Sequence, residues 1–238
     1  MRRFLKSHAT RLIEGVIVTF ARFVCAPRVL LAAPLAVDRA RVYVANHTSN
    51  ADTILIWAAL PPELRHVVRP VAAADYWLSS RLRAFVGRDV FRILPIERVA
   101  ERRTTDPVAQ MAAEVDAGWS LILFPEGKRN QGEAALLPLK AGIFHLVRAR
   151  PALEVVPVWI DNLNGVLPKG EVLPVPLICT LNFGRPLRLR DAEGKDAFLA
   201  RLRTALLDLA PRRPVIAAEA ATDAEAGRSA GREAPDGA

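Results

Sequence analysis

The stretch Val42–Trp57, VYVANHTSNADTILIW, joins two periodicities. Val42–Ala45 is a short apolar run with polar residues after it, the pattern of a buried strand. From Thr53 onward, Ile54, Leu55 and Ala58 fall at helical spacing. A strand, a short polar loop and a helix in sixteen residues is the unit from which α/β domains are assembled.

The same alternation continues outward. Apolar, β-branched runs at Val67–Ala72, Val90–Ile96, Leu121–Phe124, Val155–Ile160 and Leu177–Phe183 predict further strands. Between them, Asp106-Pro107 opens a helix with Val108, Met111, Ala112 and Val115 on one face, and Gly118 stops it. A last helix is predicted near Asp196–Leu209, with Leu199, Leu202, Leu206 and Leu209 inward. The fold expected is a single α/β domain with a largely parallel or mixed central sheet flanked by helices, preceded by N-terminal amphipathic helices.

Before the strands, residues 1–41 carry eight Lys/Arg against Glu14 and Asp38. Leu12, Val16 and Phe20, with Ile13, Ile17 and Val24, make a broad apolar face; Arg11, Glu14, Val18 and Arg22 make a narrow, mostly polar strip. Such a helix can lie in a membrane interface or pack on the domain. Pro27 and Pro34 suggest a bent pair of short helices. No stretch reaches the ~18 apolar residues of a spanning helix, and no clean cleavage site follows an apolar core. The expectation is a peripheral or monotopic protein on the cytoplasmic face of a membrane. The divisions expected are 1–37 for the basic interfacial helices, 38–214 for the main domain and 215–238 for a disordered tail rich in Ala, Gly and acidic residues.

The net charge of +8 calls for an acidic partner. Nucleic acid is disfavoured, because the basic residues near the N-terminus are interleaved with Leu, Ile, Val and Phe. Cys25 and Cys179 cannot make a disulfide framework and match no metal spacing, so both read as buried thiols.

Two loops carry chemistry. His47 and Asp52 stand at opposite ends of the strand-to-helix loop, where the carboxylate can turn back onto the imidazole. A carboxylate on one ring nitrogen fixes the tautomer and stabilises the imidazolium formed when the other nitrogen takes a proton. The plainer reading of the same residues is a helix-capping aspartate and a turn histidine. In LILFPEGKRN, Leu121–Asn130, an apolar strand opens into a dense polar turn. Gly127 permits close backbone approach, and Lys128 and Arg129 bring cations to the carboxyl end of a strand, where open α/β sheets bind ligands. Phosphate recognition fits those cations.

Together, NHTSNAD, PIER, FPEGKRN and VVPVWI resemble the four ordered blocks of the glycerolipid acyltransferase family, with the lysophosphatidic acid acyltransferases as the nearest type, over roughly residues 38–190. The resemblance implies that His47 is a general base with Asp52 as its charge partner. It implies that an acceptor hydroxyl attacks an acyl thioester directly. It also implies that Glu126, Gly127 and Arg129 help form the acceptor site, with Arg129 and Arg98 holding its phosphate. Asn46 and Ser49 would shape the catalytic loop, and Pro157 would line the acyl-donor side. Lys140 and Gly142 also look like the family. Lys128 and Asn130 stand where the family usually has Thr and Ser. No metal and no cofactor are expected, only acyl-coenzyme A or an acyl carrier protein as co-substrate. The reaction implied acylates lysophosphatidic acid to phosphatidic acid. Glycerol-3-phosphate, lysophosphatidylethanolamine or a lyso-aminolipid as acceptor, a metal-dependent hydrolase using His47, Asp52 and Glu126, and a non-enzymatic lipid-binding protein are the competing readings.

Overall fold

The computed structural model describes residues 2–163 and 178–211. The expected tail 215–238 and most of the Pro/Gly-marked stretch after Asp161 lie outside the described residues. Seven strands form one mixed sheet in the order β1-β7-β6-β2-β5-β3-β4. They are β1 Arg28–Leu31, β2 Arg41–Ala45, β3 Val68–Ala73, β4 Leu94–Ile96, β5 Ser120–Leu123, β6 Glu154–Asp161 and β7 Thr180–Phe183. Among the described strands, β6 and β7 pair antiparallel and the other strand pairs are parallel.

The sheet is covered on both faces, as parallel sheets must be. Alternation along β2 sends Val42 and Val44 to one core and Tyr43 and Ala45 to the other. The first core packs against α6 (Pro107–Asp116), α7 (Gly142–Ala149) and α8 (Lys195–Leu207). The second packs against α1 (Arg2–Cys25) and α2 (Asp52–Ala59). The α6 signals operate as read. Asp106 accepts hydrogen bonds from the amides of Val108 and Ala109, Pro107 starts the helix, and Gly118 leaves it at φ +88°.

Three expectations are corrected. The strand expected at Val90–Ile96 is only Leu94–Ile96. Val86–Val90 instead form a π-helical turn that follows α5 (Arg81–Phe85), with Phe91 N–H bonded to Val86 O. Gly87 sits there because a side chain would press on Trp77 and Ile93 at about 3.0 Å.

Residues 1–37 do not form a pair of helices. α1 runs unbroken for 24 residues, and Arg28–Leu31 then join the sheet edge beside β7. A four-residue run of apolar and basic residues after Pro27 carries too little periodicity to announce an edge strand.

The orientation of α1 is the third correction. Glu14, Val18, Ala21 and Cys25 face the domain, while Leu12, Val16, Phe20 and Phe23 are 60–79% exposed. Of the expected polar strip, Arg11 and Arg22 are exposed, and Ile13, Ile17 and Val24 of the expected apolar face pack on the domain. Glu14 turns inward because it meets a buried cation. Its carboxylate lies 3.5 Å from the guanidinium of Arg65, at the end of α3 (Pro62–Arg65). Arg65 also donates to the carbonyls of Ala58 and Leu60 at the end of α2, and its guanidinium lies over Trp57. α1 is therefore docked on the domain and still presents a large apolar face outward. Glu14→Ala strands a buried arginine and is expected to lower the unfolding free energy by about 2 kcal/mol, read from denaturant midpoints. No helix among the described residues is long and apolar enough to cross a membrane.

Candidate active site

β2 and β5 are parallel neighbours, with Val42 opposite Leu121 and Val44 opposite Leu123. Their carboxyl ends lie at the same sheet edge, so the loops that leave them, about eighty residues apart in sequence, sit side by side. β3 and β4 end at that edge as well. A cleft of about 600 Å³ opens there. His47, Gly127, Lys128, Arg129 and Arg98 line it together with an apolar set that includes Val71, Trp77, Ile96 and Leu123.

His47 Nδ1 lies 2.7 Å from Asp52 Oδ2. The same oxygen accepts the amides of Thr48 and Ser49 at 2.7 and 2.8 Å. Three donors thus converge on one oxygen of a carboxylate with no solvent exposure, which fixes the imidazole tautomer with Nδ1–H toward Asp52. Nε2 is the nitrogen left for the cleft. Phe124 stacks on the imidazole, ring centroids 4.3 Å apart. Asp52 does not cap α2: it is the first helical residue, the preceding Ala51 has no capping side chain, and its carboxylate points back into the loop. The pair is therefore an imidazole–carboxylate pair held by the loop backbone and not a helix cap.

Glu126 fastens the two loops together. Its Oε1 accepts the amide of His47 at 2.7 Å and its Oε2 accepts that of Leu137 at 2.8 Å. The Asn130 amide in turn donates to His47 O. The residue is buried, and burial pushes its carboxyl above the ordinary range against the pull of the Leu137 and His47 amides. With both oxygens engaged by backbone, Glu126 positions the histidine; it does not line the cleft. Glu126→Gln keeps one good acceptor where two are needed. It is expected to cost about 1–3 kcal/mol of stability, with activity falling as the His47 backbone shifts. The folded chain holds the Glu126 proton more tightly than the unfolded chain does. Relative to the glutamine variant, the wild-type carboxyl therefore favours folding most below the unfolded glutamate value of about 4.3. That advantage fades as pH rises through the raised folded value. Denaturant titrations of the two proteins across the acid and neutral range check the sign.

The other expected residues divide into two groups. Lys128 and Arg129 are exposed at the cleft, and neither has an ion-pair partner among the described residues. Arg98 also lines the cleft, but its Nε and Nη2 edge is engaged by Asp75 at 3.0–3.2 Å. Asn46, Ser49 and Pro157 do not line it. The Asn46 side chain accepts from Ile160 N and donates to Ile160 O, extending the β2–β6 ladder one step past Ala45. Ser49 is buried in the turn, where its Oγ accepts the Ala51 amide. Pro157 sits within β6 opposite Val44, its carbonyl bonded to Gly184 N; the expected role at a donor surface is not matched by its position in the sheet. Phe124 and Asp75 were not singled out from sequence. Phe124 was legible only as the end of a strand, and Asp75 lies in the short helix α4 (Ala74–Trp77), with nothing local to connect it to Arg98.

Among the described residues, no three His, Cys, Asp or Glu side chains converge as a metal site. Glu126 turns its oxygens to backbone amides and away from His47 and Asp52 as a ligand set.

Comparison with known proteins gives concordant results. A family model described as Acyltransferase matches residues 29–161. The 1-acyl-sn-glycerol-3-phosphate acyltransferase of Haemophilus influenzae is 26% identical over 129 residues, covering 52% of this chain and 48% of that one. The chloroplastic 1-acyl-sn-glycerol-3-phosphate acyltransferase BAT2 of Brassica napus is 25% identical over 140 residues, covering 56% of this chain and 36% of its own. The matched region thus spans about half or less of these relatives. The crystal structure of a 1-acyl-sn-glycerophosphate acyltransferase from Thermotoga maritima shares the fold, with TM-score 0.64 at 18% identity over 88% of this chain and 81% of that one.

Proposed function

This chain belongs to the acyltransferase family, and on that premise we propose that it moves a fatty acyl group from an acyl thioester to the free hydroxyl of lysophosphatidic acid, giving phosphatidic acid. The observation that carries the reading is the His47–Asp52 pair at 2.7 Å, opening on a cleft with unpaired cations and an apolar lining. His47 Nε2 takes the hydroxyl proton as the oxygen attacks the thioester carbonyl. Asp52 stabilises the resulting imidazolium. The tetrahedral intermediate then breaks its C–S bond, and the imidazolium returns the proton to the departing thiolate. The products are an ester and a free thiol, and no acyl-enzyme is formed.

Lys128 and Arg129 suit the acceptor's phosphate, and Arg98 lines the same cleft. The names of the curated relatives support a 1-acyl-glycerol-3-phosphate acceptor. Either acyl-coenzyme A or an acyl carrier protein is an acidic donor that a chain of net charge +8 can attract. The exposed apolar face of α1, with its basic residues, suits a lipid surface and supports the reading of a peripheral membrane protein.

The test is thioester consumption with a panel of acceptors: lysophosphatidate, glycerol-3-phosphate, lysophosphatidylethanolamine and a phosphate-free monoacylglycerol. Transfer to lysophosphatidate, with a KM raised about tenfold or more by Arg129→Ala, is the expected result. Vesicle binding with no thioester consumption for any acceptor would identify a lipid-binding protein instead.

A further inference from the structure

Lys140 lies in the loop between Arg129 and α7, outside the residues assigned to the site above. Its backbone is fixed by its amide, which donates to Pro125 O at 2.8 Å. Its side chain runs back over Gly127, which lines the cleft. A Cβ built on Gly127 would stand only 2.5–2.8 Å from Cε, Nζ and Cδ of Lys140. The ammonium end of Lys140 therefore occupies the space that any side chain at position 127 would need. Gly127 takes a φ of +69°, which favours glycine, and a side chain there would also have to displace the lysine end that crosses it.

The charges around that crossing are unbalanced. Lys128, Arg129 and Lys140 have no ion-pair partner among the described residues, whereas Arg98 is engaged by Asp75. Glu126, the nearest carboxylate in sequence to Lys128 and Arg129, spends both oxygens on backbone amides, and Glu133, nearer to Lys140, makes no ion pair among the described residues. Lys128 and Arg129 thus line the cleft, and Lys140 lies beside it with its ammonium over Gly127, none of the three neutralised by an ion pair among the described residues. A lysine ammonium is a compact point charge with three donors, suited to a phosphate oxygen that Arg129 approaches from another side.

We propose that Lys140 is a third anion contact of the acceptor site, delivered over Gly127 to the phosphate that Lys128 and Arg129 also face. The assignment rests on reading the cleft as the acceptor site. It makes acceptor selection depend on a residue from outside the turn that carries the other two cations. It also gives a physical reason for a glycine at 127 that turn geometry alone would not supply.

The experiment compares wild type, Lys140→Met, Lys140→Ala and Arg129→Ala in thioester-dependent acylation, with lysophosphatidate and a phosphate-free monoacylglycerol as acceptors. Direct titration of each protein with lysophosphatidate runs in parallel. Methionine keeps the methylenes that cover Gly127 and removes the charge. Lys140→Met is expected to raise the KM and Kd for lysophosphatidate about tenfold, with kcat, the thioester KM and the monoacylglycerol KM unchanged. Lys140→Ala should do the same. A methionine variant that behaves as wild type would reduce Lys140 to packing and overturn the proposal. So would a rise in the thioester KM alone, which would move the contact to the donor, or a fall in kcat at constant KM. If Arg129→Ala also leaves lysophosphatidate binding unchanged, the acceptor-site reading fails. If Arg129→Ala weakens it and Lys140→Met does not, only the Lys140 assignment fails.

Discussion

His47→Ala is expected to lower kcat for thioester-dependent acyl transfer by about 10²–10⁴-fold, the contribution of a positioned general base. The side chain lines the cleft and is 21% exposed, so its removal opens no closed cavity in either core. The two hydrogen bonds that hold residue 47 in place, from its amide to Glu126 and from the Asn130 amide to its carbonyl, are made by backbone and survive the substitution. The variant should therefore unfold at nearly the wild-type denaturant concentration. Steady-state kinetics beside a denaturant melt separate the two effects. A His47→Ala protein with wild-type turnover would remove the histidine from the mechanism and with it the proposed reaction.

Asp52→Asn should cost a comparable factor, about 10²–10⁴ in kcat, for a different reason. Asparagine is isosteric and can keep an oxygen on the three donors that now converge on Oδ2. The amide nitrogen then falls at the position of Oδ1, which is buried and has no hydrogen-bond partner among the described residues. The loop should consequently keep its shape while the imidazolium loses its counter-charge. Asp52→Ala is the contrasting case. It leaves the Thr48 and Ser49 amides and the imidazole without their acceptor in a buried turn, and unfolding should become easier by about 2–4 kcal/mol. An asparagine variant as active as wild type, with the alanine variant merely unstable, would show Asp52 to be a loop-forming residue only.

The difference between these two residues marks how much of the site could be read from the chain. His47 and Asp52 are five positions apart, and the strand before them and the helix after them are set by local periodicity. That their side chains meet follows from the shortness of the loop. Lys128 and Arg129 were legible for a similar reason, as charges placed directly after a buried strand. Glu126 was read as a contact for the acceptor, because a carboxylate in such a turn gives no local sign of its partners. Its partners are the amides of His47 and Leu137, and only the packing of two loops brings them to it. Asn46 was read as part of the catalytic loop and proves to be a rung of the sheet, a role that needs Ile160 beside it.

The amphipathic helix shows the same limit from the other side. Its periodicity correctly announced a helix and a large apolar surface, but the packed face is the one that contains Glu14. A carboxylate turns inward only where a buried cation awaits it, and Arg65 comes from α3, some fifty residues later. Likewise, Arg28–Leu31 become a strand because β7 offers an open edge.

By itself, then, the sequence determined the α/β class, the His47–Asp52 pair and the positions of the two polar loops. Each depends on hydrophobic period, turn length and residues close together along the chain. Tertiary structure alone decided that Glu126 is a fastener, which cations have no ion pair among the described residues, and which face of α1 is left outside. Those outcomes depend on which groups lie within hydrogen-bonding distance across the sheet edge, and no local pattern encodes that distance.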